Sequence, residues 1–147
     1  MSQSTSSSLT IDAEAAVVLD VIADFDSYPQ WAENVVRAEV LTQDEDGWPR
    51  TVRFELDAGV LHDTYVLAYD WAVRADGTGE VTWKLVDSTV IRALDGSYRL
   101  ADHRDCTQVT YELSVDVNIP VVAVLRRKAE KSIIDQALRG LKQRCEQ

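Results

Sequence analysis

The chain is poor in the residues that usually announce chemistry. Its 147 residues include two cysteines, two histidines, one methionine and three prolines. Cys106 and Cys145 stand apart in neither metal-ligand nor redox spacing, so a disulfide scaffold and a thiolate metal site are excluded and a reduced, cytoplasmic setting is expected. His62 reads as an outward strand residue and His103 as a turn residue, neither with a catalytic partner in view. A Gly-rich phosphate loop, an HExxH pair and a locatable Ser-His-Asp arrangement are all missing. No apolar run nears the ~20 residues needed to cross a bilayer. The opening MSQSTSSS lacks the basic and apolar stretches of a secretory signal, and residues 1–8 read as a frayed tail. Positive charge is short too. A net charge of −10 argues against a nucleic-acid partner, which would need a basic face.

What is present fits one domain, residues 9–147, with an ordinary apolar share of 46%. The short alternating SLTID reads as a first strand, with Asp12 placed to cap the helix that follows. In DAEAAVVLDVIADF, Val17, Val21 and Phe25 recur at i+4, with Val18 and Ile22 as a parallel pair beside them. A second, shorter helix is expected over DSYPQWAEN, with Asp26 as cap and Pro29 near its start. From Asn34 the period becomes two. VVRAEVLTQ, RTVRFELDA, VLHDTYVLAYDWAV, EVTWKLVDS, RALDGSYRLAD and TQVTYELSVDV read as six strands joined by short turns. After Pro120 comes a long helix, with Val122, Leu125, Ala129, Ile133, Ala137 and Leu141 as its apolar stripe, flanked by Ile134 and Leu138. That helix carries seven of the fifteen Lys and Arg residues between Arg126 and Arg144, about +5 against about −15 elsewhere. Solvated surface with Lys131–Asp135 and Asp135–Arg139 pairs is the reading favoured over an anionic or membrane partner.

Alternation places Phe54, Leu56, Tyr65, Trp83, Leu85, Tyr98, Tyr111 and Leu113 on one sheet face, beside Val52, Leu67, Tyr69, Val81, Leu100, Val109 and Val115. So many polar-tipped rings on one face suit a lined pocket as well as a core, because buried Tyr and Trp need partners for O–H and N–H. Asp63 and Asp87 share that parity, either at water-exposed strand ends or as polar groups in a pocket. Gly96 falls inward within a strand, where a bulge or bend is expected. Tyr28, Pro29 and Trp31 crowd a connection that would ordinarily be polar.

The order of elements, DFDSYPQWAENVVRAEVL, VTWKLVDS, LDGSYRL and the long helix after NIP resemble the START-like superfamily. The closer resemblance is to its bacterial polyketide cyclase/dehydrase and coenzyme-Q-binding-protein-like branch. The resemblance implies an α+β helix-grip fold, with a seven-stranded antiparallel sheet curled around the C-terminal helix and two short helices after the first strand. It also implies a hydrophobic cavity between sheet and helix, closed in part by Tyr28 and Trp31. The expected ligand-binding residues are then Tyr28, Trp31 and the eight inner-face residues named first above, with Leu125, Ala129 and Ile133 from the helix. Binding of a small hydrophobic molecule (a lipid, a quinone or a polyketide-like aromatic) leads. A polyketide aromatase/cyclase, with Asp63, Tyr65, Asp87 and Tyr98 as the available acids and bases, is the alternative, and a ligand-free interaction module is third. No metal or cofactor is expected.

Overall fold

The computed structural model describes residues 4–57, 62–89, 91–117 and 122–147. In chain order these form β1 (Thr5–Ile11), α1 (Ala15–Ala23), a 3-10 helix (Phe25–Gln30), β2 (Val35–Gln43), β3 (Pro49–Asp57), β4 (His62–Val73), β5 (Gly79–Ser88), β6 (Ile91–His103), β7 (Cys106–Val117) and α2 (Ala123–Cys145). All seven strands pair antiparallel in one sheet, in the order β1-β7-β6-β5-β4-β3-β2. Strands β2 to β7 are a meander of hairpins. β1 instead joins β7 at the opposite edge from β2, so the two short helices must carry the chain across the sheet. The expected strand starts at Val60 and Leu61, the strand end at Ala58 and the helix start at Pro120 lie outside the described residues.

The serine-rich start departs from expectation. Thr5 to Ser8 are strand, paired with Leu113 to Thr110, rather than a frayed tail. Small polar residues suffice there because β1 packs under α2, and Thr5 Oγ1 finds a buried partner, donating to Glu130 Oε1 at 2.8 Å.

Both helices bury chiefly the stripe beside the one expected, although Phe25 and Leu141 of the expected series are buried. In α1 the buried residues are Ala15, Val18, Leu19 and Ile22, whereas Val17 is 44% exposed. Its N-cap is Glu14, without a side-chain cap, so Asp12 is not the cap. The 3-10 helix starts one residue before Asp26 and is capped at Asp24. In α2 the buried face is Glu130, Ile134, Leu138 and Leu141, while Ile133 is 46% and Leu125 58% exposed, and Ala129 is exposed as well. Gly140 explains the rotation: a Cβ there would lie 2.4 Å from the Trp31 carbonyl oxygen, so this flank of α2 faces the 3-10 helix. Ile133 lies seven residues earlier, two turns back on the same flank. It therefore points across the molecule, not down onto β1 and β7. Of the two ion pairs expected along the helix, Lys131–Asp135 is present at 2.8 Å; Asp135–Arg139 does not form among the described residues.

Among the described residues Glu130 has no cationic partner. Its carboxylate accepts from Thr5 Oγ1 and, at 2.7 Å, from the Val115 backbone N–H, tying α2 to both β1 and β7. Glu130→Ala strands both donors in a dry site and opens a void. A loss of about 3 kcal/mol is expected, lowering the thermal midpoint by roughly 10 °C for a domain of this size. A midpoint within 2–3 °C of wild type, at roughly 2–4 °C per kcal/mol, would show that the two hydrogen bonds contribute little.

Candidate functional site

The chain's five tyrosines, four tryptophans and two phenylalanines all belong to one network of ring contacts, with centroids 4.7 to 6.3 Å apart. Strand pairing builds most of it. Tyr98 lies opposite Tyr111 and Tyr69 opposite Trp83, so these rings share the inner face by register. Trp83 lies over Gly96, where a Cβ would come within 2.5 Å of its indole. The sheet's irregularities fall elsewhere, along β2 where it pairs with β3, between Val66 and Leu67 and between Ile91 and Ala93. Gly96 is thus a seat for a ring, and the expected bulge is not there. From the connection, Phe25 packs on Tyr28 at 4.7 Å and on Tyr69 at 5.0 Å, and Tyr28 packs on Trp31 at 4.7 Å. The aromatic connection therefore lies against the inner face near the β2 edge.

Cover over this face is uneven. Val52, Phe54, Leu67, Tyr69, Val81, Trp83, Tyr98, Leu100, Tyr111 and Leu113 are buried. Towards the end of the sheet where β3 finishes and β4 begins, Val35, Leu56, Tyr65, Leu85, Leu94 and Val115 remain half-buried although they point inward. Glu130 of α2 is bonded to Val115 at that same end, and Leu125 and Ile133 on either side of it along the helix are exposed. The inner face is closed at one end and open at the other.

The tyrosine tips differ from one another. Tyr28 Oη donates to the Ile22 carbonyl at 2.5 Å. Tyr65, Tyr69, Tyr98 and Tyr111 make no hydrogen bond through their hydroxyls among the described residues, yet the one side-chain polar atom both sealed and unpartnered there is Trp31 Nε1. The four hydroxyls are thus neither bonded to the described residues nor wholly sealed. Burial, reinforced by neighbouring phenols, pushes Tyr69 and Tyr98 well above the usual phenol range. Tyr111 and Tyr65 rise as well, by burial first and then through Tyr65 and Asp63 respectively. All four are neutral donors at physiological pH, not bases.

The two acids separate. Asp63 is inward and buried at the start of β4, opposite Leu56. Burial raises its pKa, but this is outweighed by hydrogen bonds from Ser88 Oγ at 2.7 Å and from Thr89 Oγ1 at 2.5 Å and backbone N–H at 3.3 Å, which leave it below the usual carboxylate range. Asp87 is not on this face. The irregularity at Val66/Leu67 pairs it with outward Val66, so it is exposed, a shift of parity that alternation in β5 alone does not reveal.

Of the thirteen expected binding residues, ten line or adjoin the inner face. Leu125, Ala129 and Ile133 do not pack on it. Tyr69 belongs with the other phenols, and its inward parity was the signal. Glu130 falls on one line with Ile134, Leu138 and Leu141, a charge on an apolar stripe, and was legible in that spacing. Ser88 and Thr89 carried no signal, because the pairing of β5 with β4, which sets Ser88 opposite Tyr65, brings them to Asp63. On the outer face of the sheet, a shallow polar cleft is bordered by Asp70, Glu80, Lys84, Asp95 and Glu112. No group of three or more His, Cys, Asp or Glu residues arranged to hold a metal occurs among the described residues, and none of their helices is long and apolar enough to cross a membrane.

No curated protein matches the sequence. Solved structures do match the fold. A START superfamily protein from Mycobacterium smegmatis superposes with a TM-score of 0.88 at 19% identity over 97% of each chain. The Zhui aromatase/cyclase from Streptomyces sp. R1128 gives 0.79 at 14% identity, over 99% of this chain and 94% of that one. The di-domain ARO/CYC StfQ from the steffimycin biosynthetic pathway gives 0.70 at 15% identity, over 96% of this chain and 44% of that one. At such identities the likeness is one of fold: an antiparallel sheet gripping a long C-terminal helix. The sequence itself matches the model of the polyketide cyclase/dehydrase and lipid transport family over residues 11–142, and the chain belongs to that family.

Proposed function

We propose that this protein binds a small, largely apolar molecule against the aromatic inner face, admitted at the end where that face is only half covered. The observation that carries this reading is the collection of every aromatic ring of the chain into one network on a sheet face whose cover is incomplete. Binding sites for small molecules are concave and mostly apolar with a few convergent polar groups, and rings with four free hydroxyls supply that mixture. The protein acts in the cytoplasm, and the basic face of α2 is ordinary solvated surface rather than a membrane contact.

Catalysis as an aromatase/cyclase is the second reading, and it draws on the names of the two structurally similar proteins above. It needs an acid or base free to reach the substrate. Both Asp63 oxygens are held by Ser88 and Thr89 and Asp87 faces solvent, so no free carboxylate reaches the face, and the raised phenols are weak acids and not bases. Binding without chemistry is therefore favoured.

Ligand addition is expected to change tryptophan emission through Trp31 and Trp83, whose rings touch Tyr28, Tyr98 and Tyr111. Trp48 and Trp71, stacked at 5.0 Å with Trp71 bonded to the Pro49 carbonyl, serve as internal controls. Titrating fatty acids, quinones and flat polycyclic phenols should give a saturable change, part of which disappears in Trp31→Phe and part in Trp83→Phe. A saturable change that survives intact in both variants would place the site elsewhere. Absence of any change across the set, confirmed by calorimetry, would reject ligand binding and favour an interaction module.

A further inference from the structure

Apolar exposure on this protein is not scattered. Among the described residues, the large apolar side chains more than half exposed are Val36, Val86, Val122, Val124 and Leu125. All five stand at the half-covered end of the sheet. Val36 follows Val35, which pairs with Leu56 near the end of β3, and Val86 is the unpaired residue between Leu85 and Asp87, shortly before β5 finishes. Val122, Val124 and Leu125 open α2, ahead of Glu130. That residue bonds Thr5 and Val115 at this end, while Lys142, three turns on, bonds the Thr10 carbonyl at the other. Single exposed apolar residues are ordinary, but a cluster of them rimmed by charge marks an interaction surface.

The charges around the cluster divide by flank. α2 packs against β1 and β7, so its first turns form one side of this end and the ends of β3 and β5 form the other. The helix flank carries Arg126 and Lys128, neither with a salt-bridge partner among the described residues. The strand flank carries Asp87, exposed and likewise unpaired there, and Asp57, 3.5 Å from exposed His62. One flank is apolar and positive, the other apolar and negative. An anionic bilayer would suit only the first and be opposed by the second. A two-fold rotation about an axis through this end instead lays each helix flank on the strand flank of a second copy. Apolar residues then meet apolar residues and cations meet acids, with no like charges forced together.

We propose that this end is the interface of a two-fold symmetric homodimer, in which Val124, Leu125 and Lys128 of each copy rest on Val36, Val86 and Asp87 of the other. The apolar residues form the core of the contact, and the charges at its rim set which flank meets which. The basic residues farther along α2 stay in solvent. Pairing needs no bound ligand, but it covers the end from which the inner face is reached, so a molecule lodged there leaves only as the dimer opens.

Sedimentation velocity of the full chain at physiological salt tests this, on wild type, Leu125→Asp, Val86→Lys and an equimolar mixture of the two variants. Wild type should run as a dimer at micromolar concentration. Leu125→Asp sets a carboxylate against Asp87, and Val86→Lys sets an ammonium against Arg126 and Lys128. Each variant alone should therefore run as a monomer, its self-association weakened at least about tenfold. The mixture should recover the dimer, because one of its two contacts is then wild type and the other joins the new carboxylate to the new ammonium. Both sites are exposed, so far-UV circular dichroism should match wild type; Val124→Asp takes the place of Leu125→Asp if it does not. A wild type that stays monomeric up to millimolar concentration would overturn the inference, and its co-sedimentation with phosphatidylserine vesicles would assign this end to a membrane instead. A dimer that survives both substitutions, or a mixture that stays monomeric, would equally overturn it.

Discussion

Ile134→Asp is expected to leave no cooperatively folded domain, whereas Ile133→Asp should melt close to wild type. The two residues are adjacent in sequence and alike in chemistry, but Ile134 is fully buried and Ile133 is 46% exposed. A carboxylate at position 134 would sit at the contact of α2 with the sheet, beside Leu138, with the buried carboxyl of Glu130 one turn away. The penalty combines lost apolar burial with an unpaired charge in a dry site and exceeds ~4 kcal/mol. That is a large part of the ~5–15 kcal/mol by which whole domains are stable. At position 133 the new carboxylate stays hydrated, and a change of about 1 kcal/mol or less is expected. Circular dichroism melts and the soluble yield of the two variants decide the matter. The reverse outcome, with Ile133→Asp unfolded and Ile134→Asp stable, would mean that α2 is rotated by one residue on the sheet.

Raising the pH above about 10, the ordinary phenol value, is expected to unfold the domain in a single step in which the tyrosinates appear together. Burial, the largest cause, holds Tyr28, Tyr69 and Tyr98 well above the usual phenol range, and neighbouring phenols add to it; Tyr111 is raised by burial and then by Tyr65. Below the free-phenol value both folded and unfolded chains keep these protons, so stability is unaffected. Above it the unfolded chain releases protons that the folded chain retains, and stability falls as pH rises towards the folded values. Each phenol that the folded chain keeps protonated contributes a slope near ~1.4 kcal/mol per pH unit. Four together give about 5 kcal/mol per unit, enough to exhaust the domain's stability within one or two units. Half-buried Tyr65 adds to the trend and is left out of this figure. Ultraviolet absorbance of tyrosinate, followed alongside far-UV circular dichroism, should show coincident, steep transitions. Tyrosinates that appear one by one near the free-phenol value, with the dichroism unchanged, would show that water already reaches the rings and that the inner face is far more open than the packing indicates.

Element order and sheet parity were open to reading because both rest on local rules. Alternation places side chains on two faces wherever a strand is regular, and all five tyrosines fall inward or into the aromatic connection as that rule requires. The short turns of a meander leave antiparallel pairing of β2 to β7 as the direct outcome. The rule failed at Asp87, where one irregularity in pairing exchanges inside for outside; such an irregularity belongs to two strands at once and leaves no mark on either alone.

The helices show a different limit. Each carries an apolar band broader than the face it buries, and in both the stripe one residue over is the one in contact: Val18 and Ile22 rather than Val17 and Val21, Ile134 and Leu138 rather than Ile133 and Ala137. One residue is about 100° of rotation. Periodicity locates such a band, but the edge that meets the sheet depends on what approaches from the other side. For α2 that is the Trp31 carbonyl against Gly140 and the hydrogen bonds of Glu130 to β1 and β7. The serine-rich start makes the same point, because its polar residues become strand only when α2 and β7 are there to receive them.

The sequence by itself determined the fold class, the strand order from β2 to β7 and the gathering of rings on one face, since spacing along a single chain encodes each of these. Which flank of α2 is buried, and that Asp63 is held by Ser88 and Thr89 while Asp87 turns outward, came from the packing of distant segments. Those facts depend on distances between segments far apart in sequence, and a linear pattern contains no measure of such distances.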